Sequence, residues 1–187
     1  LTPASASISC PEINGAVIKC SPKSSGYALR GIFGLFGLGY ASSTLDLGPD
    51  ASSTTVETWK ITANAVDLSL SFLDALVTVG VGSVIGGNEE MTNKSSQTQG
   101  DYYYNITQVV TDSKQSGSTS FLNFGFGIGP VELIAGYRMW NVKSSDIILA
   151  QTTATNFPGA SSGTETGTMD GGTRSWSEVS VGVGFGF

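Results

Sequence analysis

The sequence offers few side chains that could perform catalysis. It has 187 residues and no histidine, so the commonest general base, proton shuttle and zinc ligand is absent. Its two cysteines cannot form a four-ligand zinc site by themselves. Glu132 and Glu178 are a candidate carboxylate pair for acid–base catalysis, but nothing else in the sequence supports that interpretation. We therefore expect a protein that is not an enzyme and that uses no cofactor and no metal.

Six charged residues lie within segments that alternate large apolar residues with small or polar ones. We expect all six to point to the polar side of their segments: Arg30, Lys60, Asp67, Glu132, Arg138 and Glu178. They comprise three residues of each sign, and an unpaired charge in a poorly hydrated interior is costly. The sequence therefore predicts a paired interior network. A gated path for solutes is the functional alternative.

Cys10 and Cys20 are the two cysteines, and their spacing matches no compact redox or metal motif. In an exported chain we expect them to form a disulfide. It would lie within residues 1–25, which we treat as an N-terminal segment distinct from residues 26–187. Closing so short a loop contributes about 2–3 kcal/mol in the chain-entropy account.

β-Strands are the elements that must position these residues. Only 13% of the chain is charged and 25 residues are glycine, a composition that disfavours helix. In residues 179–187, valine and phenylalanine alternate strictly with serine and glycine, which is the period of a strand. A core between two sheets needs large residues on the inner faces, so here we expect the large residues to face an apolar solvent.

Six segments are predicted as strands: 26–40, 56–72, 75–87, 119–128, 131–142 and 175–187. The first of them is apolar on both faces, so its parity cannot be fixed from the sequence. A β-bulge is predicted near Val66, where the apolar residues change parity, and a bulge or a bend is predicted within the first segment. Very short turns alternate along the chain with three long polar segments: 42–55, 87–117 and 144–174. A further strand is predicted from Tyr102 to Val110, inside the second of these. The long segments hold nine acidic residues and two lysines, which disfavours nucleic acid as a partner.

Together these features resemble the bacterial outer-membrane β-barrel proteins, and by size the small eight-stranded barrels of the outer-membrane protein X and W groups. The resemblance implies an all-β fold, an antiparallel up-and-down transmembrane β-barrel with short periplasmic turns and three long extracellular loops. It implies a location in the bacterial outer membrane, with outer-membrane lipid and the barrel-assembly machinery as partners. Val183, Phe185 and Phe187 resemble the signal that this machinery reads.

Five aromatic residues near strand ends are predicted to form a girdle at the lipid interface: Tyr40, Trp59, Tyr137, Trp140 and Trp176. The six predicted strands are two fewer than the eight of the smallest common barrel. Residues 2–10 and 15–21 supply two more if they form a hairpin, and we expect this arrangement. The alternative is a wall completed by further copies of the chain or by another outer-membrane protein.

The function predicted for such a barrel is structural, or is surface binding through the acidic, Ser/Thr-rich loops. A narrow channel for small solutes is the alternative from the transport class. A soluble, secreted β-sandwich is a third possibility, in which the apolar faces would pack against each other rather than against lipid.

Overall fold

A computed structural model describes residues 4–5, 12–13, 16–17, 22–48, 56–73, 76–99, 102–128, 130–155, 162–169 and 171–185. These residues form eleven strands: β1 (Ala4–Ser5), β2 (Glu12–Ile13), β3 (Ala16–Val17), β4 (Lys23–Phe33), β5 (Phe36–Asp46), β6 (Val56–Phe72), β7 (Val77–Gln99), β8 (Tyr102–Ile128), β9 (Val131–Thr155), β10 (Ser162–Met169) and β11 (Gly172–Phe185). The described part of the chain contains no helix long and apolar enough to cross a membrane.

Nine of the strands form one antiparallel sheet. Its order is β1, β4, β5, β6, β7, β8 and β9, and each strand is hydrogen-bonded to the next. β9 then pairs with two strands in succession, with β11 along residues 131–144 and with β10 along residues 147–154. β2 and β3 form a separate two-stranded sheet. The prediction of an all-β, antiparallel fold is confirmed.

The predicted strand 26–40 is wrong, because this segment is a hairpin made of β4 and β5. The chain reverses at Gly34 and Leu35, and Gly34 has a φ of 63°, a left-handed conformation that favours glycine. Phe33 and Phe36 pair directly across the turn. Apolar residues flank the turn on both sides, so no polar turn signal marks it in the sequence.

The two larger segments predicted as loops, 87–117 and 144–174, are strand over most of their described length. β7, β8 and β9 contain 23, 27 and 25 residues. The strand predicted from Tyr102 to Val110 is confirmed as part of β8. Serine, threonine and glutamine dominate much of these outer strand parts, and such residues give no apolar alternation. That alternation depends on a strand that buries one face.

The sheet curls until side chains of β5 and β11 meet on its inner side. The Ser43 hydroxyl donates to the Glu178 carboxylate, and the Trp176 indole donates to the Ser43 hydroxyl at 3.1 Å. β1 pairs with β4 at Lys23 and Ser24 and also lies beside β11. Among the described residues no backbone pairing joins β4 to β11. The ring of strands is therefore partial, and eight strands in a closed barrel remain a prediction.

The curled sheet has two halves with opposite side-chain patterns. We call the half next to the short connections at residues 34–35, 73–76 and 129–130 the turn half, and the remainder the far half. The outer face of the turn half is apolar and exposed: Leu29, Phe33, Phe36, Leu38, Leu68, Leu70, Phe72, Val79, Val81, Phe124, Phe126, Leu133, Tyr137, Met139, Val179, Val181, Val183 and Phe185. In the far half the apolar residues lie inside and form the buried core: Ala41, Leu45, Leu47, Ile61, Ala63, Ala65, Val84, Trp140, Val142 and Trp176.

β6 shows this inversion within a single strand. All its odd-numbered residues from 61 to 71 are buried. Its outward residues are polar up to Asn64 and apolar from Val66 onward. The bulge predicted near Val66 is wrong, because β6 keeps one parity here, and the extra residue is Ile85 in β7. The change in the sequence pattern marks a change in which face is apolar.

Beyond the far half, four strands continue as what we call the projecting sheet. It consists of residues 92–99 of β7, 102–112 of β8, 147–155 of β9 and the whole of β10. β10 and β11 follow one another along β9, so the strand that returns from the projecting sheet runs on into the curled sheet. The projecting sheet is therefore a direct extension of the curled sheet.

The pairing of β7 with β8 is interrupted where the projecting sheet begins. It stops at Val84 and Gly117 and resumes at Thr92 and Val109, and we call the interval the ladder gap. An open cavity of about 320 Å³ lies there, lined by Gly87, Asn88, Glu89, Glu90, Val110, Asp112 and Ser113. β6 continues to pair with β7 across the gap, so β7 stays attached to the sheet on that side.

Candidate functional site

Three of the six predicted interior charges meet in one buried layer of the turn half. Asp67 on β6 is fully buried and accepts two hydrogen bonds from Arg138 on β9, at 3.0 Å from Nη1 and 2.6 Å from Nη2. Arg30 on β4 approaches the same carboxylate at 3.6 Å. Thr119 on β8 accepts a further hydrogen bond from Arg138 at 3.1 Å. We call these four residues together with Phe121 the charge layer.

Phe121 supports both arginines of the charge layer. The guanidinium carbon of Arg30 lies 3.8 Å from the centre of the ring, and that of Arg138 lies 4.6 Å from it. A ring at these distances attracts cations through its quadrupole. Side chains at Gly80 or Gly82 would collide with the Phe121 ring or the Asp67 carboxylate. The glycines on the inner face of β7 thus make room for the charge layer.

Lys60 and Glu132 lie apart from the charge layer. Lys60 requires a correction, because it points to the outer face of the far half and lies 4.0 Å from Asp46. It is even-numbered in a strand of constant parity, so it cannot share the inner face with Asp67. Glu132 lies on the inner side near a short turn, with a carboxylate oxygen beside Gly184 of β11.

Two stacked tryptophans occupy the inner side of the far half. The ring centres of Trp140 and Trp176 are 5.8 Å apart, the ring planes differ by 11°, and both side chains are buried. The Trp140 indole donates to Glu178 at 3.1 Å, and the other oxygen of Glu178 accepts from Ser43. Glu178, the sixth predicted interior charge, is therefore held by neutral donors, whereas Asp67 is held by arginines.

The girdle prediction is wrong for the three tryptophans, which lie inside, while Tyr40 and Tyr137 do lie on the outer face. A signal for this was present in the sequence. Trp140 follows Arg138 by two residues and Trp176 precedes Glu178 by two. Residues two apart in a strand share a face, so an inward charge places its tryptophan neighbour inside as well.

A further ion pair, which the sequence analysis did not predict, joins Arg174 to Glu89 in the far half. The two groups are 3.4 Å apart, and the Trp59 indole donates to the same carboxylate at 2.7 Å. The Arg174 guanidinium also lies over the Trp59 ring, 4.6 Å from its centre. Burial lowers the pKa of Arg174, and the charge of Glu89 opposes that change. Glu89 lies in the predicted long segment 87–117, and Arg174 was assigned to the strand predicted after the segment 144–174; no apolar alternation surrounds either residue.

The projecting sheet presents polar side chains in cross-strand rows. Gln108 donates to Gln151 at 2.9 Å, and the hydroxyls of Thr152 and Thr164 lie 3.4 Å apart. Every residue of β10 from 162 to 168 is exposed. Such a surface buries little by itself.

Several predicted residues lie outside the residues that the structure describes. Cys10, Cys20 and Phe187 are among them, so the disulfide and the last residue of the assembly signal stay predictions. Val183 and Phe185 lie on the outer face of β11. β4 begins at Lys23, two residues before the end of the predicted N-terminal segment.

In the described ranges, no cluster of three or more cysteine, aspartate or glutamate side chains is placed to hold a metal ion. Asp67, Glu89 and Glu178 are instead paired with arginines or with indole and hydroxyl donors, an arrangement that stabilises charge. Comparison with known proteins found no matching protein family, curated protein or solved structure.

Proposed function

We propose that the chain is a non-enzymatic integral protein of the bacterial outer membrane. Its turn half spans the bilayer as a β-barrel, and its projecting sheet binds partners at the cell surface. Outer-membrane lipid and the barrel-assembly machinery are its further proposed partners, with Val183, Phe185 and Phe187 as the assembly signal. The proposal rests on one observation. In the turn half of the curled sheet the apolar residues lie on the outer face, and in the far half they lie on the inner face.

The turn half has the pattern that a bilayer requires. Outer-membrane barrels carry an outward apolar band around a polar interior, and here the outward Leu68 is 62% exposed beside the fully buried Asp67. The outward apolar stretch of β9 runs from Val131 to Met139, which is about the 9–11 residues that a tilted membrane strand needs. A soluble sandwich would instead bury these side chains.

The far half has the pattern that water requires. Its outer face carries residues such as Thr58, Lys60 and Asn64, and its inner face carries the apolar core. A boundary between lipid and water that lies between Asn64 and Val66 accounts for both patterns. The outward residues of β6 are polar on one side of this boundary and apolar on the other, while the strand keeps the same parity throughout. The far half and the projecting sheet therefore stand outside the bilayer in this proposal.

An eighth strand is needed to close the proposed barrel. The curled sheet has seven long strands, β4 to β9 and β11, and the antiparallel pairings give its first and last members the same direction. A ring of antiparallel neighbours requires one more strand of opposite direction between β4 and β11. β1 has that direction and that place. We therefore propose that β1 closes the ring in the far half, where it pairs with Lys23 and Ser24; the strand that would lie beside residues 25–33 of β4 is not among the described residues.

The interior packing favours a structural and binding role over the alternative of a channel. The charge layer and the stacked pair of Trp140 and Trp176 lie one above the other along the inner side. Small barrels are normally filled by their own side chains. A purified protein inserted in planar bilayers is expected to give no sustained conductance, and a stable conducting state would favour the channel.

The membrane placement is tested with two spin-labelled cysteines on the outer face of β6. Leu68→Cys lies in the turn half and Thr58→Cys, its matched control, in the far half. In lipid vesicles we expect the label at residue 68 to be relaxed by oxygen and shielded from a water-soluble nickel reagent, and the label at residue 58 to show the reverse. Equal exposure of both labels to the nickel reagent would overturn the proposal.

Surface binding is tested by shortening the projecting sheet. A variant in which tight turns replace residues 95–106 and 152–164 keeps the curled sheet intact. We expect it to insert in vesicles as the full chain does, yet to lose attachment of protein-coated vesicles to host-cell or bacterial surfaces. If both forms attach equally, the projecting sheet is not the binding element.

A further inference from the structure

The projecting sheet has two outer edges. On one side β10 pairs with β9, and no other strand pairs with it in the described part of the chain. On the other side β6 pairs with β7 only as far as Asn93, so residues 94–99 of β7 pair only with β8 among the described residues. Each edge thus offers a row of backbone donors and acceptors.

β10 lacks the features that normally protect an edge strand. Lysine, proline and bulges are the usual protection, whereas β10 reads Ser-Gly-Thr-Glu-Thr-Gly-Thr-Met and pairs with β9 in unbroken register. Its only charged residue is Glu165. Threonine at alternate positions favours the extended conformation. An exposed strand of this kind is a template for another strand.

We propose that β10 of one molecule pairs with β7 of a second copy of the chain in the same membrane. This inference rests on the proposed membrane placement, because two copies in one membrane have the same orientation. β10 runs towards the short turns and β7 runs away from them, so the two strands meet antiparallel. β10 against β10 would be parallel under the same constraint, and parallel pairing is slightly less stable per residue.

The two edges lie at the same height above the turn half. The pairing register places Lys94, Thr107, Thr152 and Thr164 in one row across the four strands. Each edge also carries one charge in this region, negative at Glu165 and positive at Lys94. In the level register Lys94 lies opposite Thr164, whereas Glu165 lies on the other side of the joined sheet, so these two charges do not meet.

A contact of this kind joins different surfaces of the two molecules. Such heterologous contacts build rings or open rows rather than closed twofold dimers. A single eight-residue strand provides much less area than the roughly 1,200 Å² of a stable standard interface. The association is therefore reversible and depends on the high local concentration within a membrane.

The test is cysteine cross-linking of protein reconstituted in lipid vesicles with a short bis-maleimide. Thr164→Cys marks the β10 edge, and Ser96→Cys marks the β7 edge. We expect a mixture of the two single variants to give at least tenfold more cross-linked dimer than either variant alone. The double variant is expected to give a ladder of dimers, trimers and larger species. Unaltered protein and Thr152→Cys, in the middle of the sheet, are the controls.

Other results overturn the inference and identify what covers the edges instead. Cross-linking of Thr164→Cys alone would indicate a twofold contact through β10. No cross-linking, with β10 amides protected from hydrogen exchange in dilute protein, would indicate that the chain covers its own edge. If no cross-linked dimer forms and the β10 amides exchange rapidly, the β10 edge has no partner strand at all. The label at residue 68 separates these outcomes from a failure of the membrane placement itself.

Discussion

The turn half and the far half use the same strands and the same curvature but bury opposite kinds of residue. In the turn half the inner face holds Asp67 and Arg138 and the outer face is apolar. In the far half Ile61 and Trp140 lie inside and the outer face is polar. Backbone pairing between the strands is therefore the same whichever face of the sheet is apolar. In the proposed membrane placement, the solvent around each half accounts for its side-chain pattern.

The two halves also differ in what stabilises the interior. The far half buries a contiguous apolar core, so its inner face is stabilised by the hydrophobic effect and close packing. The inner face of the turn half depends on hydrogen-bonded charges, which are costly once a partner is lost. Substitutions of matched residues in the two halves can therefore separate these two sources of stability.

Asp67→Ala should have the largest effect. It removes the carboxylate that faces both Arg30 and Arg138, leaving two buried guanidinium groups without their acid. Loss of one partner of a buried pair costs about 3–5 kcal/mol. We expect a loss of this size in the free energy of unfolding, measured by urea titration in detergent, together with loss of the heat-modifiable shift on gels.

The control for Asp67→Ala is Lys114→Ala, which breaks an exposed ion pair with Asp146. Exposed pairs contribute about 0–1 kcal/mol, so the urea midpoint should barely move. Equal effects of the two substitutions would mean that the charge layer is hydrated rather than buried.

Ile61→Ala tests the apolar interior of the far half. Ile61 is completely buried, and truncating such a side chain costs about 2–5 kcal/mol, part of it from the cavity left behind. Leu70→Ala, on the outer face of the same strand, creates no enclosed cavity and should cost less. The same urea titration measures both, and a larger loss for Leu70→Ala would reverse the assignment of inside and outside.

Leu68→Arg and Thr58→Arg compare the outer faces of the two halves along β6. The proposed membrane placement puts Leu68 on the lipid face, where an arginine costs about 2–4 kcal/mol at the midplane of a bilayer, so Leu68→Arg should destabilise the protein by that amount in vesicles. The same proposal puts Thr58 in water, so Thr58→Arg should have little effect. The comparison fails if both substitutions cost the same in refolding titrations with vesicles.

Ser69→Ala should have the smallest effect. The Ser69 hydroxyl is buried in the turn half and has no hydrogen-bond partner among the described residues. A buried group without a partner carries an uncompensated desolvation cost, so its removal should leave stability unchanged or raise it by about 1 kcal/mol. Ser71→Ala, which breaks a 3.0 Å hydrogen bond with Thr78, should instead lower stability by about 1 kcal/mol.

Part of this architecture could be predicted from the sequence, because a strand with one apolar face has a period of two. The all-β class, the outward valines of β11 and the inward Asp67 and Arg138 follow from that period, whereas the inward position of Arg30 does not, because residues 26–40 are apolar at both parities. The pattern is local, so it needs no knowledge of which strands are neighbours.

The other features could not be predicted from the two-residue period, because it does not show which face is buried, where a strand turns or which strands are neighbours. Lys60 was placed inside because the inversion of faces along β6 imitates a bulge. The turn at Gly34 was missed because apolar residues surround it. The ion pair of Glu89 and Arg174 was missed because it joins residues 85 positions apart, on strands whose outer parts show no alternation. The projecting sheet was predicted mostly as loop for the same reason.

The ladder gap also determines how the molecule responds to force. A load on the tip of the projecting sheet reaches the curled sheet through the pairs of β6 with β7 and of β8 with β9, because β7 and β8 share no backbone bonds between Val84 and Thr92. Torque at the tip therefore shears β7 against β8 at the gap, while the paired regions on either side turn as blocks. In the proposed function, the projecting sheet can therefore turn with a bound partner at the ladder gap while the curled sheet below it keeps its orientation.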